Sequence, residues 1–243
     1  QILMQKGVDV KSQDKLNNKL DQLVKSKILT RYFFTSEEGK GIYRIYCLEK
    51  MGKYLLTSKE IECFWQPTDN TKPVGMIKKR LAGNQIIIAY ARKSSNFQKY
   101  RVKPQITAKT TNKSFKPHGE VTLGKDGKNI SLVFECVRRE KDWNVKLIER
   151  LKLYKDFYEH FTLGDSGYQI PPQIIFVCED DKNMIEVFKE IVVNQITIDK
   201  VKFYFTTDLK QTETSLEKSL VEFVVDKDTG KYKAKNVEIK FLK

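Results

Sequence analysis

Residues 12–56, SQDKLNNKLDQLVKSKILTRYFFTSEEGKGIYRIYCLEKMGKYLL, constrain the fold of this chain more than any other stretch, because different periodicities succeed one another there. Leu16, Leu20, Leu23 and Val24 recur at the spacing of one helix face, and Ser12 stands where an N-cap belongs. Residues 28–34 are rich in β-branched and aromatic side chains, as a strand requires. A polar, glycine-containing turn at residues 36–41 leads into a second strand at 42–48, and residues 50–56 read as a short helix. Helix, hairpin, helix is the order of a winged helix-turn-helix. Residues 1–6 resemble the end of a preceding helix, so the first helix of such a module is expected upstream of Gln1.

The polar faces of the first helix carry Gln13, Lys15, Asn17, Asn18 and Lys19. Amides pair bidentately with adenine edges and lysines hold phosphates, so this composition suits a helix laid in a major groove with the hairpin alongside. On that reading Ser12, Gln13, Lys15, Asn17, Asn18 and Lys19 face DNA, and Arg31, Lys40 and Arg44 flank it from the wing. Amphipathic helices with hairpins also serve as protein-interaction modules, which is the competing reading of the same residues.

The formal net charge is +14 and the pI about 9.4, a balance that favours an anionic partner. The charge is concentrated. From Asn70 to Gly119 there is no aspartate or glutamate, while Lys72, Lys78, Lys79, Arg80, Arg92, Lys93, Lys99, Arg101, Lys103, Lys109, Lys113 and Lys116 all fall there. Surfaces ordinarily mix both signs, so the run is expected to track a phosphate backbone, with Lys78, Lys79, Arg80, Arg92 and Lys93 forming one basic face. The bland reading is a solvated lysine-rich surface. Val74 to Ala91 reads as a helix with Gly83 inside it. Residues 93–113 read as loop-rich, with one extended piece near Tyr100 to Lys103. Pro67 and Pro73 mark a linker.

Cys47, Cys63, Cys136 and Cys178 form no CxxC pair, and His118 and His160 are the two histidines. A structural zinc site is not expected, and buried free thiols fit a reducing, cytoplasmic compartment. No apolar run reaches the roughly 20 residues of a membrane span. GxGxxG and phosphate-loop motifs are absent, as is any Ser-His-Asp or Cys-His arrangement.

Beyond Pro117 the pattern predicts a hairpin (strands at 120–123 and 130–138, turn at 124–128). A helix at 145–161, a strand at 173–178, a helix at 182–191 and a strand at 202–206 follow. The order β-β-α-β-α-β predicts an α/β sandwich with a mixed sheet, and a terminal hairpin at 221–241 completes it.

Pro117, His118 and Gly119, followed by Phe134-Glu135-x-x-Arg138, resemble the motif region of restriction-endonuclease-like, PD-(D/E)xK folds. The wider layout, from about Lys15 to Thr207, resembles the replication-relaxation family of bacterial plasmids and conjugative elements. The resemblance also rests on Ile42-Tyr43-Arg44-Ile45 with Leu48 and Gly52, on Leu151 and Tyr154, on Phe176-Val177, and on Phe205-Thr206-Thr207. Members join an amino-terminal winged helix to a nuclease-like α/β domain. The resemblance implies DNA binding in replication or transfer of a mobile element. It also implies domains at 1–66 (winged helix) and 74–243 (nuclease-like), with a linker at 67–73.

The catalytic motif departs from the pattern. His118 stands where the first acid would, Glu120 is two residues on, and Glu135 matches the second acid. The lysine position falls on Val137, with Arg138 one step out of phase on the opposite face. Metal-dependent cleavage needs convergent carboxylates. His118, Glu120, Glu135 and Arg138 are therefore read as a remnant, with no metal, cofactor or catalysis expected. The overall expectation is a sequence-specific binder of double-stranded DNA. Its further partners would be a relaxase or replication protein and a second copy of the chain, with no membrane involved. The rivals are a site-specific, metal-dependent endonuclease and a protein-binding module.

Overall fold

The computed structural model describes residues 13–35, 42–57, 66, 68, 72–108, 111–162, 167–199, 201–225 and 231–237. Two compact units divide at Pro73/Val74.

The first unit opens with helix α1 (Gln13–Lys25). Ser12 and residues 1–6 lie outside the described residues. Helix α1 stops in a Schellman arrangement: Lys27 is left-handed (φ 54°), its N–H bonds the Val24 carbonyl, and the Ile28 N–H reaches back to Leu23. The chain then turns into β1 (Leu29–Thr35), which pairs antiparallel with β2 (Ile42–Leu48) in the register Arg31↔Tyr46. Helix α2 (Lys50–Leu56) follows, capped by Glu49. It seats on the start of β1 through Gly52. A Cβ there would lie 2.4 Å from the Ile28 carbonyl oxygen and 2.6 Å from a Leu48 methyl carbon, so the approach requires glycine.

In the second unit, helix α3 (Val74–Lys93) is followed by strand β3 (Phe97–Val102) and a small ribbon, β4 (Ile106–Thr107) with β5 (Ser114–Phe115). The hairpin β6 (Gly119–Lys125) and β7 (Lys128–Cys136) turns on Asp126-Gly127, both at positive φ. Then come α4 (Trp143–Glu159), β8 (Gln173–Cys178), α5 (Asp181–Val193), β9 (Phe203–Thr207), α6 (Asp208–Glu213), α7 (Leu216–Ser219), β10 (Val221–Val225) and β11 (Tyr232–Asn236).

One seven-stranded sheet runs in the order β11-β10-β9-β8-β7-β6-β3. It is mixed: β7, β8 and β9 are parallel, as their helical crossovers require, and the other pairs are antiparallel. Alternation sends Val133, Ile174, Phe176 and Phe205 toward α4 and α5. Leu132, Phe134, Ile175 and Val177 pack on the other face, with α3 and the Leu216–Leu220 segment. The result is three layers with a core on each side of the sheet.

One expectation needs correction. Residues 97–102 are a full strand paired with β6, where a loop-rich segment with only one extended piece near Tyr100 to Lys103 was expected. Five of the strand's six residues are exposed, so it lacks the alternation of a half-buried strand. The expected terminal hairpin is present as β10 paired with β11, and β10 joins β9 so that the hairpin extends the sheet. The predicted helix and strand boundaries shift by one or two residues, as helix ends and hairpin strands commonly do. Residues 226–230, where the turn of the terminal hairpin is expected from the sequence, lie outside the described residues. Cys136 and Cys178 are buried free thiols, pushed up by burial, Cys136 to about 12; Cys47 is half-buried, and Cys63 is outside the described residues. Among the described residues no helix is long and apolar enough to cross a membrane.

Candidate functional site

On α1, Lys15, Asn18, Lys19, Gln22 and Lys25 are exposed, and their i, i+3, i+4, i+7, i+10 spacing makes one stripe of cations and amides. Leu16, Leu20, Leu23 and Val24 face the other way and are half-buried. Asn17 departs from the sequence reading. At 100° per residue it lies beside Val24, not with Asn18, and it is half-buried. Gln22, which sequence reasoning passed over, takes its place on the exposed stripe. The Gln13 side chain and Lys40 lie outside the described residues. Arg44 is exposed on β2, whereas Arg31 is committed within the unit. Its Nη1 is 2.5 Å from Asp21 Oδ1 of α1, and its guanidinium sits 5.1 Å from the centroid of the Phe33 ring.

The acid-free run is not uncompensated in three dimensions. Lys79 pairs with Glu140, Arg101 with Glu120 at 2.5 Å, and Lys113 with Asp156 at 2.9 Å. Acids distant in sequence therefore return to neutralise it. Lys78, Lys79 and Arg80 fan around α3 at 100° steps and cannot share a face; all three are half-buried. Arg92 is exposed, while Lys93 turns its Nζ onto the carbonyls of Gln211, Thr212 and Thr214 at 2.7, 3.1 and 2.8 Å, capping the end of α6. The single basic face expected from these five residues is not formed.

The nuclease-motif residues fall on and around the β6–β7 hairpin. His118, one step before β6, stands across from Glu135 of β7: its N–H bonds the Phe134 carbonyl at 2.9 Å. Its Nδ1 accepts the Cys136 N–H at 3.2 Å and lies 3.3 Å from Glu135 Oε1, so the expected closeness of His118 and Glu135 is present. Glu135 is 3% exposed. Its dominant partner comes from α4. Arg150 Nε donates to Oε1 at 2.7 Å and Nη2 to Oε2 at 2.6 Å, while the Tyr154 hydroxyl donates to Oε2. Burial alone would raise the Glu135 carboxyl, but the Arg150 guanidinium, with His118 behind it, holds it well below the usual carboxylate range.

Glu120 repeats the pattern. It is 2% exposed, and Arg101 of β3 donates to Oε2 through Nε at 2.5 Å, with Nη2 also at 2.5 Å. Tyr168 bonds both members of the pair. Arg138 does not join these acids. It lies on the opposite face, as its phase requires, donating to the Val137 and Val177 carbonyls at 2.7 and 3.0 Å and to Asp208 at 2.7 Å. Burial raises the Asp208 carboxyl, with Arg138 opposing. The remnant set of His118, Glu120, Glu135 and Arg138 is thus split by the sheet, with Arg138 alone on the far face.

These carboxylates do not fit a divalent cation. The oxygens that Mg²⁺ would need are taken by guanidinium and phenol donors, and among the described residues no three His, Cys, Asp or Glu side chains converge as ligands. Arg150 was missed from sequence, yet a signal existed: it is a charged residue set between Leu147, Leu151 and Tyr154 on the apolar stripe of α4. His160 caps the end of α4 and is exposed, with Nδ1 2.8 Å from the Asp156 carbonyl oxygen. No family model, curated protein or solved structure matches this chain.

Proposed function

We propose that this protein binds double-stranded DNA through its first unit, used as a winged helix with α1 in the major groove and the β1–β2 hairpin as the wing. The observation that carries the reading is the exposed α1 stripe of Lys15, Asn18, Lys19, Gln22 and Lys25, set opposite half-buried leucines. Amides offer the donor-acceptor pairs that read base edges, and lysines neutralise phosphates. The net charge of +14 supports the same partner by favouring encounter with a polyanion.

The second unit acts in this reading as a non-catalytic, nuclease-like sandwich. In support, the run α3-β3-β4-β5-β6-β7-α4-β8 brings His118 and Glu135 together, as the resemblance to PD-(D/E)xK folds implies, while Arg150 occupies both oxygens of Glu135. The biological setting the resemblance suggests is a cytoplasmic role for a bacterial mobile element, in transfer, replication or their transcriptional control. A relaxase or replication protein, or a second copy of the chain, would be the protein partner.

The test is duplex binding by fluorescence anisotropy, across salt and against site-selected and random sequences. Phosphate neutralisation predicts a linear fall of log K with log salt. Asn18→Ala and Gln22→Ala should weaken the selected site and spare random duplex. Equal losses on both would remove the base-reading role, and salt-independent binding would point to a protein partner instead. Plasmid incubated with Mg²⁺ or Mn²⁺ should stay intact; cleavage abolished by Glu135→Ala would make the protein a nuclease.

A further inference from the structure

The hairpin face under α4 holds two copies of one arrangement: a buried glutamate, an arginine and a tyrosine. Glu135 is held by Arg150 and Tyr154, Glu120 by Arg101 and Tyr168. In each, the acid is the hidden member, at 3% and 2% exposure, and the arginine the outward one, at 33% and 47%. A metal-binding nuclease site needs the reverse, with carboxylate lone pairs facing the ligand. Here the exposed chemistry is cationic.

The donors left over point the same way. A guanidinium has five N–H groups. Arg150 spends Nε on Glu135 and Nη2 on Glu135 and the Lys116 carbonyl. Arg101 spends Nε on Glu120 and Nη2 on Glu120 and Tyr168. Among the described residues neither Nη1 has a hydrogen-bond partner. Around them the backbone gathers further cations. Lys116 is exposed and adjoins Arg150 through that carbonyl bond; the Lys103 N–H bonds the His118 carbonyl at 3.3 Å; Lys99 lies two residues before Arg101 on one strand face. All three lysine side chains are exposed.

We propose that the amino end of β6 is a second contact for the phosphate backbone of nucleic acid. There Glu120 and Glu135 serve as positioning residues that hold Arg101 and Arg150 by Nε and Nη2 and leave each Nη1 for a ligand, with Lys99, Lys103 and Lys116 around them. A guanidinium N–H suits a phosphate oxygen, and a guanidinium already fixed by a carboxylate loses little freedom on binding. The contact carries no sequence information, because it meets phosphate rather than base edges. It rests on the reading of the protein as a duplex binder and assigns part of the footprint to the second unit.

The experiment is salt-dependent anisotropy of the full chain on one duplex. Lys99→Ala/Lys103→Ala/Lys116→Ala, all surface changes, should reduce the slope of log K against log salt by about 2 to 3, near 0.9 per phosphate contact. Arg101→Lys/Arg150→Lys keeps the charges but removes the fixed Nη1 donors, and should weaken every duplex about tenfold, the size of one charge-assisted hydrogen bond. Thermal melting checks that both variants are folded. An unchanged slope in the lysine variant, or unchanged affinity in a folded arginine variant, overturns the proposal while leaving the α1 reading in place. Wild-type protein that binds no duplex overturns both. Loss confined to one sequence would also overturn it, since backbone contact is indifferent to sequence.

Discussion

The helix–hairpin–helix unit and the sandwich hold themselves together by different means. In the sandwich, Phe134, Leu151, Phe157 and Phe176 are fully buried, and helices cover both faces of the sheet. In the first unit the apolar stripe of α1 is half-buried, and among its described residues Gly52 is the buried one. Its order rests on local devices: the Schellman stop at Lys27, the Asp21–Arg31 pair, and the close seat of Gly52 on β1. Burial makes the sandwich sensitive to core volume and to unpaired charge. Locality makes the first unit sensitive to backbone fit.

The sharpest way to break the comparison is Arg150→Ala, which leaves the buried Glu135 carboxylate without its guanidinium, with Tyr154 and His118 as its remaining neighbours. A loss of roughly 3–5 kcal/mol is expected, confined to the sandwich, when urea unfolding is followed by amide resonances from each unit. The same contact sets an acid limit. The Glu135 carboxyl is depressed in the folded state, so its stabilisation is complete above the unfolded value of about 4.3 and is lost as pH falls below it. The sandwich should weaken on acidification from about pH 5, and Glu135→Gln should flatten that dependence.

Next in size is a matched pair of truncations. Leu151→Ala removes a side chain at 0% exposure and should destabilise the sandwich by roughly 2–5 kcal/mol. Leu20→Ala, on the half-buried stripe, should lower the first unit's stability by less than half as much. Equal effects would show that the two cores are alike. Gly52→Ala reverses the contrast, because its methyl meets the Ile28 carbonyl: a loss of roughly 1–3 kcal/mol is expected in the first unit alone, read from its melting transition. Smallest is Asp21→Asn. That pair is partly exposed, and roughly 0.2–1 kcal/mol should be lost, less at high salt.

Legibility in the sequence followed the same division. Strand β2 and helix α2 fall at the expected residues, since Ile42–Leu48 is uniformly β-prone and the turn before it is marked by glycine. The Asp126-Gly127 turn and the α4 stripe were equally plain. Strand β3 was legible only in part, near Tyr100, because a solvent-facing edge strand shows no alternation, and lysines with an arginine look like loop. The pairing of the acid-free run was hidden for another reason: Glu140, Asp156 and Glu120 are brought to it by the fold, and a linear charge count cannot see partners that are distant along the chain. At the candidate site, the meeting of His118 with Glu135 follows from hairpin register, whereas Arg150 arrives from a different element.

The sheet ends in β3 on one side and β11 on the other. Lys99 and Arg101 alternate along the first, Lys233 and Lys235 along the second. A strand edge offers backbone donors and acceptors to any extended chain, including another molecule of the same protein. Adding β3 to β3, or β11 to β11, would bring cations within about 5 Å of each other across the new ladder. The basic character of both edge strands therefore opposes growth of this sheet. A bound polyanion that screened those rims would remove that protection, so aggregation by edge pairing is expected to appear at charge neutralisation and not before.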